Sequence, residues 1–117
     1  MIIIEQEKDL LNVHIYSDMT LRDFSEFEAA VTDELKRYDH VNLLLDLSSM
    51  TGFSIDVALE ELRFNKRHAS DYQRIAVVTD SQWMAWVSWL AAAFVTAEVR
   101  QFDDVESAHT WLQESKQ

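Results

Sequence analysis

The chain opens with two short β-rich runs, "IIIEQ" and "LLNVHIY", on either side of a polar "EKD". Two such runs around a short polar break predict a β-hairpin. From Thr20 onward the period changes. Leu21, Phe24, Phe27, Val31, Leu35 and Tyr38 fall on one face at helical spacing, and Thr20 is a capping residue, so a helix is predicted to about Tyr38. "VNLLLDL" at 41–47 is too apolar for a half-exposed strand and reads as a central one. Ser54 can cap a second helix to about His68, with Ile55, Ala58, Leu59 and Leu62 as its apolar stripe. "RIAVV" at 74–78 is another buried strand, and Asp80 or Ser81 opens a third helix. "AEVRQF" at 97–102 is the last strand. Asp103 or Asp104 then caps a fourth helix that turns Val105, Ala108, Trp111 and Leu112 inward.

The predicted order is β-β-α-β-α-β-α-β-α. Strands alternating with single helices imply right-handed crossovers and a mostly parallel, five-stranded mixed sheet, with the first strand antiparallel and four helices. If successive strands are also neighbours, every crossover helix lies on one face. The other face must then be polar, covered by something else, or used in assembly. At 117 residues, with no linker, repeat or low-complexity tract, residues 1–117 are expected to form a single domain.

Composition narrows the chemistry. Cysteine and proline are absent and Gly52 is the only glycine, so there is no disulfide framework, thiolate site, P-loop or dinucleotide fingerprint. Turns must rely on Asn, Asp, Ser and Thr. His14, His40, His68 and His109 are scattered, without metal-ligand spacing; Glu106 and His109 stand three apart, but as one pair on an exposed helix they read as solvated. Glu60–Glu61 and Asp103–Asp104 read as a solvated helix face and a cap. No catalytic residue, metal or cofactor is expected, and the chain is not expected to be an enzyme. The formal charge of −11, from 21 acidic and 10 basic residues, argues against nucleic acid and against anionic lipid head groups. The start, "MIIIEQEKDLL", lacks a signal-peptide pattern, so a bacterial cytoplasmic location is expected.

One stretch stands apart. "SQWMAWVSWLAAAFV" holds Trp83, Trp86 and Trp89 and no charge. The uncharged segment from Ser81 to Ala97 is 17 residues long and lies between two strands of the same sheet, so it does not span a bilayer. Trp83, Trp86, Val87, Leu90 and Phe94 form one stripe, which is enough to pack the helix. Met84 and Trp89 lie off it, and the rest of the back is Ala85, Ser88, Ala91 and Ala92. A helix apolar all round is buried or touches something apolar. Two explanations fit. The helix is a homodimer contact, or it is a lid that closes an apolar pocket. In the second case Trp83, Met84, Trp86, Trp89, Leu90 and Phe94 line the ligand from one side and Phe53, Leu59 and Phe64 from the other. A tryptophan-rich lid also suits peripheral contact with the inner face of a membrane.

The segments "LLLDLSSMTGFSIDVALEEL", "RIAVVTDSQWMAWV" and "EVRQFDDVESAHTWL" resemble the SpoIIAA-like proteins, which have the STAS-type fold and are related to CRAL-TRIO lipid-binding domains. The resemblance covers nearly the whole chain. It implies a non-enzymatic domain linked to apolar or lipid-like ligands and to membrane association. The anti-sigma-factor antagonists of this fold imply an alternative, a protein–protein regulatory module switched by phosphorylation of a serine at the start of the helix after the central strand. Their pattern, laid on Asp46, Leu47 and Ser48, brings the acceptor positions to Ile55 and Asp56. A one-residue slip offers Ser54 as the phosphorylation site instead, a serine that helix capping also accounts for.

Overall fold

The computed structural model describes residues 1–53, 72–79 and 98–114. Five strands form one sheet in the order β1 (Ile2–Glu7), β2 (Leu10–Met19), β3 (Val41–Phe53), β4 (Tyr72–Val78) and β5 (Glu98–Phe102). β1 is antiparallel to β2, and the remaining neighbours are parallel. This is the mixed sheet expected from the alternation, with chain order and spatial order the same. Two of the four expected helices are among the described residues, α1 (Leu21–Tyr38) and α2 (Val105–Glu114). The second and third expected helices fall outside them.

α1 begins and ends where its sequence sets the caps. The Thr20 hydroxyl accepts from Asp23 N–H, and the Asp23 carboxylate accepts from Thr20 N–H, a complete capping box. At the other end Asp39 takes a left-handed φ of 63° and its N–H bonds to the Leu35 carbonyl. Lys8 in the hairpin turn and Ser17 in β2 are the other described non-glycine residues with positive φ. Asp103 and Asp104 both suit the last cap by residue type. Asp104 is the one that accepts from Ser107 N–H, at 2.7 Å.

The two helices cover opposite faces. Phe24, Phe27 and Val31 of α1 pack on Leu11, Val13, Ile15, Leu43, Leu45, Ile75 and Val77. Ala108, Trp111 and Leu112 of α2 pack on Leu10, Leu44, Ala76 and Val78. β3 and β4 are therefore apolar on both sides, which is why their sequences read as unbroken hydrophobic runs. α2 answers the question of what covers the second face.

Some expectations need correction. β3 runs to Phe53 rather than ending at Leu47, β2 runs to Met19 rather than Tyr16, and β4 starts at Tyr72. Leu21 and Tyr38, at the two ends of α1, are exposed, as is Val105 at the start of α2. End residues of a helix overhang the sheet, so helical spacing alone does not bury them. On α1, Glu34 takes a core position and is fully buried.

Candidate functional site

Of the residues expected to line an apolar site, the structure places Phe53, the last residue of β3, paired in register with Met19. Leu59, Phe64, Trp83, Met84, Trp86, Trp89, Leu90 and Phe94 lie outside the described residues, and so does Ser54. The polar groups that the sheet does bring together are elsewhere, and sequence spacing did not single them out as a site.

The first group sits where β2 and β3 outrun their expected ends. Register shifts between His14 and Tyr16 and between Ser17 and Asp18, with Ser17 at φ 59°, let β2 follow β3 as far as Phe53. Thr51 Oγ1 donates to Asp18 Oδ1 at 2.8 Å. Asp18 also explains the lone glycine: a Cβ on Gly52 would stand 3.1 Å from Asp18 Oδ1. A side chain here requires the Asp18 carboxylate to give by a few tenths of an ångström, which strains its bond from Thr51. Gly52→Val is therefore expected to cost about 1 kcal/mol, the worth of that hydrogen bond. Urea unfolding measures this, and no loss in the variant would show that Asp18 is free to move.

The second group lies on the α2 face of β2 and β3. His14 Nδ1 is 2.9 Å from Asp46 Oδ2, and both side chains are largely buried. Ser48 donates to Asp46 Oδ1 twice, through its backbone N–H at 3.0 Å and its hydroxyl at 2.6 Å. Burial pushes the Asp46 carboxyl up, but the Ser48 hydroxyl, the Ser48 N–H and His14 outweigh it and hold it below the usual carboxylate range. A serine, a histidine and an aspartate are thus hydrogen-bonded, but in the wrong order for nucleophilic catalysis. Asp46 stands in the middle, and the Ser48 hydroxyl is directed to the carboxylate rather than to the imidazole. The cluster locks β3 to β2.

A group whose carboxyl is held low in the folded state stabilises the fold above its ordinary value, about 3.9 for Asp. It loses that contribution as pH falls through the folded value. Asp46→Asn is expected to flatten the acid limb of the stability–pH curve below about pH 4, as measured by urea midpoints across the acid range. An acid limb unchanged in the variant would assign acid sensitivity to other carboxylates.

The third group lies at the opposite end of the sheet. Asp9 Oδ2 accepts from Asn42 Nδ2 at 3.2 Å and lies 3.0 Å from His40 Nε2, and Asn42 Oδ1 accepts from Arg74 N–H. Nearby, Gln6 Nε2 donates to Glu34, and Arg37 donates to Gln6. Burial pushes the Glu34 carboxyl above the usual range, and the Gln6 bond only partly offsets it. These contacts tie the hairpin turn, α1 and the starts of β3 and β4 together. His109 does not pair with Glu106; its Nε2 lies 3.2 Å from both Glu7 carboxylate oxygens. Among the described residues no group of three or more His, Asp or Glu side chains could hold a metal ion, and no described helix is long and apolar enough to cross a membrane.

A five-stranded sheet in sequential order, entered by an antiparallel hairpin and helix-covered on both faces, defines an α/β module of the STAS type. The chain belongs to the SpoIIAA-like family, whose model matches residues 10–113. No curated protein sequence matches it. Its structure is similar to that of an uncharacterised protein of Shewanella loihica with a SpoIIAA-like fold, at 22% identity and TM-score 0.76, covering 96% of this chain and 92% of that one. It is also similar to the unphosphorylated anti-sigma factor antagonist SpoIIAA, at 9% identity and TM-score 0.65, covering 97% and 98% of the two chains. An anti-sigma factor antagonist from Mycobacterium paratuberculosis aligns at 11% identity and TM-score 0.59, covering 97% and 93%. At these identities the likeness establishes the fold.

Proposed function

We propose that this chain is a non-catalytic regulatory module that acts by docking on another protein, as the name of the anti-sigma factor antagonists describes for proteins of the same fold. The observation that carries the reading is the state of the His14–Asp46–Ser48 cluster. The His14, Asp46 and Ser48 side chains are bound to one another, with the carboxylate in the middle, so they hold strands together and the Ser48 hydroxyl is not poised as a nucleophile. The fold neighbours support the regulatory side of the reading, because they match this chain over nearly its whole length. One of the solved forms of SpoIIAA is the phosphorylated one. Here the corresponding acceptor positions hold Ile55 and Asp56, so the proposal is of docking and not of a serine switch.

A second reading, a domain for an apolar or lipid-like ligand with peripheral membrane contact, is favoured by the uncharged run from Ser81 to Val95. Native mass spectrometry of the protein isolated from its own cells, with vesicle flotation alongside, separates the two. A protein bound in fixed stoichiometry supports the docking module. A retained lipid with no protein, together with flotation, overturns it in favour of the apolar-ligand domain.

A further inference from the structure

Glu34 occupies a place on α1 that an apolar residue would fill. Phe24, Phe27 and Val31 precede it on the buried face of the helix, and Glu34 is itself fully buried. One of its oxygens, Oε1, accepts from Gln6 Nε2 of β1. The other, Oε2, is buried and has no hydrogen-bond partner among the described residues. A buried carboxylate keeps its charge when a cation pairs with it and hydrogen bonds satisfy both oxygens. Glu34 has one such bond, and no described lysine or arginine forms an ion pair with it.

Arg37, one turn further along α1, is engaged elsewhere. Its Nη1 donates to Gln6 Oε1 at 2.7 Å and its Nη2 lies 3.3 Å from Asp33 Oδ2. The Gln6 amide thus links the two: its oxygen accepts from Arg37 and its nitrogen donates to Glu34. The Arg37 charge reaches Glu34 across an amide rather than by contact. The other described charges that act on Glu34 are acidic, Asp33 on α1 and Asp9 in the hairpin turn, the latter 3.0 Å from His40 Nε2. Both disfavour a further negative charge beside them. Glu5 and Glu7 alternate to the opposite face from Gln6, and Glu7 meets His109 there. Burial is the largest influence and pushes the Glu34 carboxyl up; Gln6 and Arg37 pull it down, and the balance stays above the usual range.

We infer that Glu34 is a proton-operated latch between α1 and the β1 hairpin. With its proton it is a neutral core residue, and Gln6 and Arg37 close over it. On losing the proton it places a charge at the unbonded Oε2, strains that closure and loosens β1 from the helix. β1 is the partner that yields because it is an edge strand, paired to β2 alone. The sign is opposite to that of Asp46. A carboxyl held high in the folded state stabilises the fold below its ordinary value, about 4.3 for Glu. That contribution is lost as pH rises through the higher folded value.

A pH titration of the full chain, with carbon-labelled glutamate side chains, tests this by nuclear magnetic resonance. The Glu34 carboxyl signal is expected to titrate above the ordinary glutamate value of about 4.3, and the amide signals of Ile4 and Gln6 to move with the same midpoint. Glu34→Gln keeps the shape of the protonated acid, and Glu34→Met sets an apolar side chain at a core position, so a neutral variant remains if the other fails to fold. In either variant the Ile4 and Gln6 movement at that midpoint should vanish. Hydrogen exchange of the β1 amides, compared at equal pH, should become slower than in the parent as pH rises, by up to about tenfold per pH unit, the limit for release of one proton. Arg37→Met, at an exposed position, removes the cation that favours the charged form and is expected to raise the Glu34 midpoint further. A Glu34 midpoint at or below the ordinary value, a midpoint unmoved in Arg37→Met, or β1 exchange that keeps the same ratio to the parent at every pH would overturn the latch.

Discussion

Trp111→Ala is expected to destabilise the protein by about 3–5 kcal/mol, a large part of the roughly 5–15 kcal/mol that holds a domain of this size folded. Trp111 is only 7% exposed and forms the centre of the α2 contact. Its ring lies 5.5 Å from Phe102, tilted by 45°. The guanidinium of Arg74 sits 4.6 Å from the ring centroid and that of Arg100 5.5 Å away. Alanine removes the ring from all three. It leaves Arg74 with the Trp111 carbonyl, a backbone bond of 2.9 Å that survives only while α2 stays docked. A helix of 10 residues is too short to persist undocked. Loss of Trp111 should therefore release α2 as a unit and uncover Leu44, Ala76 and Val78. Urea unfolding gives the global loss, and hydrogen exchange should show fast exchange confined to 105–114. A loss below about 1 kcal/mol would mean that α2 is not held by this ring.

Phe24→Ala should cost a similar amount, about 3–5 kcal/mol, by a different route. Phe24 is 1% exposed, sits 5.8 Å from Phe27, and lies in the core between α1 and the opposite face of the sheet. α1 has 18 residues, a capping box and a left-handed C-cap, so its own turns resist the loss. The cavity should weaken the whole fold without releasing α1 selectively. Because the two cores are separated by the sheet, the double variant is expected to lose the sum of the single losses to within about 0.5 kcal/mol. Circular dichroism melts and urea midpoints of the four proteins test this. A large deviation from additivity would mean that α2 and α1 communicate through the sheet.

These two residues were legible in the sequence because each carries a local signal. Phe24 stands on a helical stripe behind a capping threonine, and Trp111 stands on a shorter stripe behind an aspartate. The hairpin, the central strands and the parallel order were legible for the same reason: period, apolar run length and capping residues are properties of neighbouring positions. The family resemblance used the same kind of information and agrees with the match over residues 10–113. The expected apolar site rests on the run around Trp83, Trp86 and Trp89, and of its residues only Phe53 is among those described.

What the tertiary structure alone decided depends on residues far apart in the chain. "SSMTGF" is polar and carries the one glycine, so nothing local marks it as strand. It becomes the end of β3 because Asp18 reaches Thr51 and a register shift, with Thr51 as the extra residue, keeps β2 alongside. Glu34 looks like a solvated helix residue until Gln6 of β1 closes over it. His14 and Asp46 are 32 positions apart and meet only because β2 and β3 are parallel and in register. Ile3 and Tyr16 read as ordinary strand positions, and the structure leaves both partly exposed. Local periodicity determined which segments are helices and strands and which side each buries. Strand register and helix placement, which are set by contacts between distant segments, determined which polar groups meet and which apolar groups stay uncovered.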